Sequence, residues 1–357
     1  MCGRWHNPSM LHAAHGRRWY PARLVALALV PLLLGFARTA SAWGVAAHRA
    51  VSLAALDRLP AGTAPFLAAQ ADWIGERSVA ADWWRGVNEP FSKAAEDPNH
   101  AWYLEQFAFL TEVPRSRDAF VLAVYDEHRR LTAAHDVAAA MTNIHYTGTL
   151  PYAVMEAFGR LQATFRVWRD TAARHEPTTF VERDAAYHVG TLSHYVADGA
   201  MPLHTSIHNA GWVGDNPRGF TRDGGIHWQF ENDFVNLIGL TRADIAPRVP
   251  ATPRVLEDPF RAVLDHLTRS HTRLTQVYAL EQQGALAREQ TPDARALVYA
   301  CTTDAAALLR DLMVAAWDGS ARPVPTLPEQ AQPNSPRNPQ YDPATGSAPA
   351  PVPPGRP

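Results

Sequence analysis

Apolar residues recur at intervals of three and four along most of the chain between residues 43 and 322, and strand-like alternation is scarce. This spacing is typical of amphipathic α-helices that pack around a shared core. Pro60 stops the first helix, Pro151 lies in the first turn of a later one, and Thr178 or Thr179 caps the next, with Glu182 in its first turn. The pattern predicts helices at residues 45–59, 117–142 (one or two), 151–174, 178–199, 226–240, 258–283 and 292–317, and ordered loops at 80–110 and 204–225.

The two ends of the chain differ from this helical region. Arg17, Arg18 and Arg23 precede or open an apolar run at residues 24–36, and Ala40-Ser41-Ala42 is a small-x-small cleavage sequence, which together indicate a secretory signal peptide. The alternative is a retained membrane anchor, but the run is short for a bilayer span. Residues 323–357 contain 12 prolines in 35 positions, a composition that favours a disordered tail.

These features predict a signal peptide at 1–42, one all-α domain at 43–322 and a disordered Pro-rich tail at 323–357. The protein would be secreted or periplasmic after cleavage. Its net charge of −2 excludes a global basic field for nucleic acid. Cys2 lies in the signal, so the mature chain would carry only Cys301 and form no intrachain disulfide. The count of 16 histidines is high, and their positions carry the chemical information.

Two segments repeat a histidine followed four residues later by a carboxylate. His194 and Asp198 fall one turn apart on one predicted helix, and His227 and Glu231 do so on another. One such pair alone is usually a solvated surface pair. Two pairs together with His204, which follows a helix-ending Pro202, predict a metal site.

Four further residues are candidate ligands, and some of them have open alternatives. Cleavage after Ala42 would make Trp43 the N-terminus, whose amine and carbonyl could chelate a metal with His48; otherwise Trp43 is a core aromatic residue. Asp82 and His100 lie in the predicted loop region, where side chains can reach a site. Asp72, Glu96 and Asp97 are rivals of Asp82 for this role.

The order Trp-x4-His, Asp, His, His-x3-Asp-x5-His and His-x3-Glu resembles the superfamily of zinc-dependent phospholipases C and S1/P1-type single-strand nucleases. The resemblance covers about residues 43–234, and its most specific part runs from Leu192-Ser-His194 to Pro202-Leu-His204. The 23-residue step from His204 to His227 and the short step from Trp43 to His48 suit the nuclease branch. Glu231, where nucleases usually carry Asp, favours the phospholipase branch.

The resemblance implies an all-α domain of the phospholipase C/P1 nuclease type that holds up to three zinc ions. One ion would be held by Asp82, His100, His194 and Asp198; a second by His204, His227 and Glu231; a third by Trp43, His48 and Asp198, which would bridge two ions.

The implied activity is hydrolysis of a phosphodiester by metal-activated water, with Asp82 as the catalytic residue that orients or deprotonates the water. The expected substrate is a phospholipid, with single-stranded nucleic acid as the alternative, and the protein would act as a monomer without an obligate protein partner. A non-catalytic zinc-binding protein on the same scaffold is the second alternative. Several tryptophans near the candidate ligands suit either a lipid or a base, although core packing is their commoner role.

Adding one residue ahead of Trp43 in the mature protein tests the terminal-amine ligand. The extension displaces the amine, so we expect a lower zinc content and a sharply reduced rate. Metal analysis and rate assays of the two forms measure this effect, and unchanged zinc content and rate would rule out the amine as a ligand.

Overall fold

The computed structural model describes residues 43–324 and 332–349. The predicted signal peptide at 1–42 and the remaining parts of the predicted tail lie outside these residues, so both stay predictions. Regular structure in the described part is helical, and strand-like pairing there is limited to isolated bridges from Asn209 to Gly211 and from Asp342 to Ser347. Within the same part, no helix is long and apolar enough to cross a bilayer.

The helices follow one another without an intervening sheet in the described chain. They are α1 Val45–Leu56, α2 Ala71–Arg77, α3 Ala80–Gly86, α4 Pro90–Glu96, α5 Arg117–Ala133, α6 Leu150–Ala173, α7 Thr179–Ala200, α8 Gly225–Trp228, α9 Phe234–Leu237, α10 Arg242–Ile245, α11 Pro259–His271, α12 Leu274–Gln282 and α13 Pro292–Ser320. A π-helical turn, Gln229–Asp233, joins α8 to α9. Short 3₁₀ turns include Asp97–His100 and Pro202–Thr205.

Helix α7 is the centre of the fold. Every α7 residue from Val189 to Ala200 is buried, and α1, α2, α6, α11 and α13 all pack against this helix. A helix that is covered on all sides must bury whatever polar groups it carries, and those groups then need partners inside the protein. The candidate ligands of α7 are therefore held in the interior.

Several predicted helices are confirmed closely. Pro151 lies in the first turn of α6, and Thr178 precedes α7 with its hydroxyl donating to the Glu182 carboxylate at 2.8 Å. The sequence from 117 to 142 gives α5 and a 3₁₀ turn, Val137–Thr142, separated at His135, where φ is +52°.

Two predictions of secondary structure were wrong. The predicted loop region 80–110 contains α3 and α4, because Pro90 fits the first turn of α4 and the Glu89 carboxylate accepts a hydrogen bond from the Ser92 N–H. The single helix predicted at 258–283 is divided into α11 and α12. Where α11 ends, the His271 ring bonds to the Thr205 carbonyl. This contact joins segments that are distant in sequence, so the periodicity of apolar residues does not predict it.

Residues 332–349 form turns, which are held by bonds such as that from the Ala348 N–H to the Pro333 carbonyl. This segment has neither helix nor extended strand, and disorder of the tail stays a prediction.

Close packing of α7 against Arg77 predicts that Gly190 tolerates no side chain. A Cβ at Gly190 would lie 2.5 Å from the Arg77 Cβ and 3.2 Å from its carbonyl carbon. We expect Gly190→Ala to lower the free energy of unfolding by about 1–3 kcal/mol, since backbone must move. Gly159→Ala is the matched control, because a Cβ there meets nothing within 4 Å and should stabilise α6 by about 0.5–1 kcal/mol. Urea unfolding measures both, and equal effects would contradict the packing argument.

Candidate metal centre

The Asp198 carboxylate is the centre of the candidate site. It is fully buried on α7, and His194, one turn earlier on the same helix, places its Nε2 3.4 Å from Asp198 Oδ2. The predicted i,i+4 arrangement of these two residues is therefore present in the structure. Because both side chains point into the interior, neither forms a solvated surface pair.

Three other histidines reach the same carboxylate from other parts of the chain. His48 Nε2 on α1 lies 3.3 Å from Asp198 Oδ1. His100 Nδ1 lies 2.9 Å and His204 Nδ1 3.8 Å from Asp198 Oδ2, each from a 3₁₀ turn. The His48 and His194 rings stack at 4.2 Å with an interplanar angle of 10°, so the fold brings together residues that are far apart in sequence.

Asp82 lies among the histidines around Asp198, whereas Asp72 and Asp97, the alternative aspartate ligands, do not. Its Oδ1 lies 3.8 Å from His100 Nδ1 and 3.9 Å from His194 Nε2, and its side chain is 9% exposed. Asp72 is exposed on α2, and Asp97 bonds outside the group to Arg85 and Lys93. Of the three aspartates, only Asp82 lies among the histidines.

A second group contains His204, His227 and Glu231. His227 Nε2 lies 3.2 Å from Glu231 Oε2 and 3.1 Å from His204 Nε2, and His204 Nε2 lies 3.7 Å from the same carboxylate. Glu231 is fully buried within the π-helical turn, which follows the α8 segment that bears His227. Because π turns are rare and occur frequently at functional sites, the local backbone agrees with a site here.

Main-chain carbonyls orient three of the histidine rings. His194 Nδ1 bonds to the Ser78 carbonyl at 2.7 Å, His227 Nδ1 to the Asn209 carbonyl at 2.8 Å, and His204 Nδ1 to the His100 carbonyl. A carbonyl accepts only from an N–H, so each Nδ1 is the donor, and in the neutral ring Nε2 then carries the lone pair that can bind a metal. Metal-binding histidines are commonly held in this way.

The electrostatics of the group favour a positive charge near Asp198. Burial lowers the pKa of His194, but the carboxylates of Asp198 and Asp82 outweigh burial and raise that pKa to about 9. Burial raises the pKa of Asp198, but the surrounding His194 and His204 hold it well below its usual range. In the second group, burial lowers the pKa of His227 and Glu231 raises it above its usual value. A bound cation would satisfy the same demand for positive charge.

Buried polar atoms without a hydrogen-bond partner also indicate a bound cation. Both ring nitrogens of His48, Oδ1 of Asp198 and both carboxylate oxygens of Glu231 are buried without a hydrogen-bond partner. Leaving such atoms unsatisfied costs about 1–3 kcal/mol each, so their concentration here fits a bound ion.

Three sets of ligand atoms lie close enough together to hold a metal ion. In each set the atoms are within 4.8 Å of one another, and the sets are His48 with Asp82 and His194, His100 with His194 and Asp198, and His204 with His227 and Glu231. All eight side chains predicted as metal ligands therefore fall in these sets.

Trp43, the ninth predicted ligand, contributes packing in the structure. Its side chain is fully buried, its ring lies 5.6 Å from the Phe230 ring, and the next N–H, that of Gly44, donates to the Glu231 carbonyl at 3.1 Å. Residue 42 lies outside the described chain, so the terminal amine stays a prediction.

Two residues beside the ligand sets were not predicted from the sequence as partners of the site. Arg85 Nη1 lies 4.0 Å from Asp82 Oδ1, one helical turn along α3. Glu96, considered only as a rival ligand, has its Oε1 3.4 Å from His100 Nε2. Their i,i+3 and i,i+4 spacing to Asp82 and His100 is the signal that could have identified them.

Comparison with known protein families and with curated proteins finds no match to this chain.

Metal removal should destabilise the protein through Asp198. Since an ion that binds only the folded state stabilises it by about 2.7 kcal/mol at a free concentration 100 times Kd, we expect a chelator to lower the melting temperature. Asp198→Asn should abolish most of this chelator effect, because the variant loses the central carboxylate. Thermal unfolding with and without chelator measures the difference.

Asp311→Asn is the control for loss of a buried carboxylate. Asp311 is 4% exposed and bonds to Arg310 and to the Arg254 N–H, outside the three ligand sets. This variant should be less stable yet retain the full chelator effect. An equal chelator effect in Asp198→Asn would contradict metal binding at this carboxylate.

Proposed function

We propose that the protein is a secreted, zinc-dependent hydrolase of phosphodiesters, similar to phospholipase C. The observation that carries the proposal is the overlap of ligand sets: His194 belongs to two of them, and Asp198 contacts four histidines within 4 Å. Overlapping sets suit a multi-ion site, the arrangement that phosphodiester hydrolysis commonly uses.

The donor atoms favour zinc among divalent ions. Imidazole nitrogens supply most of the ligands, and carboxylate oxygens supply the rest. Zinc commonly binds this combination, whereas magnesium and calcium prefer oxygen ligands. Following the resemblance, Asp82, His100, His194 and Asp198 would hold one ion, His204, His227 and Glu231 a second, and Trp43, His48 and Asp198 a third. The 3.3 Å approach of His48 to Asp198 supports their shared role.

The residues of the chain would position the reactants. When bound, paired zinc ions supply Lewis acidity that lowers the pKa of water toward about 7 and neutralises charge at phosphorus. Asp82 retains slight exposure at the edge of the group, where its carboxylate can orient a water molecule and accept its proton. Arg85, with 21% of its side chain exposed beside Asp82, can donate hydrogen bonds to a phosphate oxygen.

The surface next to Asp82 supports a lipid substrate. On α3, α4 and the turn between them, Trp83 is 50% exposed, Val87 73% and Phe91 86%. The cations of this segment, Arg85 and Lys93, both bond to Asp97, so the surface is not strongly basic. An apolar approach with tryptophan suits a lipid interface.

A single-strand nuclease is the second candidate, and the exposed indole of Trp83 favours it. Exposed aromatic faces next to a phosphodiester site can stack with unpaired bases.

Parallel assays test the function. We expect the mature, zinc-loaded protein to hydrolyse phosphatidylcholine vesicles, with activity lost on chelation and restored by zinc. Hydrolysis of single-stranded DNA or RNA without phospholipid turnover would replace the proposal with the nuclease. No turnover of any phosphodiester at full zinc occupancy would indicate a non-catalytic zinc-binding protein.

A pair of aspartate variants tests the catalytic role. Asp82→Asn should lower kcat by about 100-fold or more, because a group that transfers protons typically contributes that much. Asp72→Asn, an exposed change on the neighbouring helix, should leave kcat unchanged. Similar rates for both variants would contradict the role of Asp82.

A further inference from the structure

His100 uses its two ring nitrogens in different directions. Nδ1 faces the centre of the group, 2.9 Å from Asp198 Oδ2 and 3.1 Å from His194 Nε2. Nε2 points the other way, is buried, and lacks a regular hydrogen bond. Main-chain carbonyls orient His194, His204 and His227, but within the described part of the chain no carbonyl does so for the His100 ring.

A buried carboxylate occupies the position that a carbonyl takes for the other rings. Glu96, the last residue of α4, is 8% exposed and places Oε1 3.4 Å from His100 Nε2. It lies on the side of His100 away from Asp198, because the opposite ring nitrogen faces that carboxylate. Glu96 also belongs to none of the three ligand sets, so its geometry suits a partner of His100 rather than a ligand.

Tyr195 fixes this carboxylate in place. Its hydroxyl donates to Glu96 Oε1 at 2.6 Å, and its ring meets the His100 ring edge-on at 6.0 Å. Tyr195 follows His194 directly on α7, so the same buried helix that presents a ligand also holds Glu96. A carboxylate with 8% exposure needs such donors, since burying an unpaired charge is costly.

We propose that Glu96, clamped by Tyr195, is a positioning residue that holds His100 with its Nε2 protonated and its Nδ1 free to bind metal. The inference rests on the proposed zinc binding and extends it to two residues outside the ligand sets. A carboxylate behind a metal-binding histidine fixes the tautomer and raises the basicity of the ligand nitrogen. Glu96 thus accepts from the His100 ring through its carboxylate, as Ser78 accepts from the His194 ring through its main-chain carbonyl.

The test is metal affinity, measured by competition with a chromophoric chelator and by visible absorption of the cobalt-loaded protein. Glu96→Gln keeps the size of the side chain but loses its charge, and we expect affinity for one ion to fall about 10–100-fold. Tyr195→Phe should produce a smaller loss in the same direction, because Glu96 remains but is less fixed. Both should change the cobalt absorption bands, which a change confined to packing would leave alone.

Glu182→Gln is the matched control. Glu182 is also a carboxylate on a helix that accepts two side-chain donors, from Trp168 at 3.2 Å and Thr178 at 2.8 Å, but it contacts no ligand in the described structure. This variant should keep wild-type affinity and absorption. Should Glu96→Gln fail to fold, Glu96→Asp and Tyr195→Phe carry the same measurement.

The outcomes separate the two proposals. A wild-type protein that binds no zinc overturns the proposed function together with this inference. A wild-type protein that binds zinc and hydrolyses phosphodiesters, with unchanged affinity and absorption in Glu96→Gln and Tyr195→Phe, overturns the inference alone.

Discussion

The rest of this structure depends on how one carboxylate is held without access to solvent. Asp198 is fully buried in the half of α7, Val189 to Ala200, in which every residue is buried, and an ion in such a place is tolerated only if opposite charge or hydrogen-bond donors surround it. Four histidines supply that environment, one from the same helix and three from other segments of the chain. The fold is organised so that each of them is brought inward.

The turns that carry the histidines hold one another. The Trp102 N–H donates to the His204 carbonyl at 2.8 Å, while the His204 ring bonds back to the His100 carbonyl. The same strip of chain is tied to the start of α6 by the bond from the Leu150 N–H to the Ala101 carbonyl. These hydrogen bonds couple the positions of His100 and His204. Because the two residues fall in different ligand sets, the two sets are held in a fixed relative position.

The helical fold and part of the site follow from local sequence, and the remainder does not. Periodicity and proline positions predict α6 and α7 within a few residues, and i,i+4 spacing predicts the His194–Asp198 and His227–Glu231 pairs, because both signals act within one or two turns. The choice of Asp82 over Asp72 depends on how α3 packs against α7, which no local pattern contains. The short helices α3 and α4 were missed for a related reason: segments of seven residues gain most of their stability from tertiary contacts.

The π-helical turn at Gln229–Asp233 sets the orientation of the segment that bears His227 relative to the segment that follows the turn. It separates His227, which faces the ligand set, from Phe234 and Val235, which are fully buried in the core. A π turn holds one more residue than an α turn, so rewinding the same residues as a regular α-helix would turn one half by about 100° relative to the other. Either the ligand or the core residues would then face the wrong way. Homologous chains that keep both orientations should therefore keep this wide turn or, where the segment is one residue shorter, have a regular α-helix in its place.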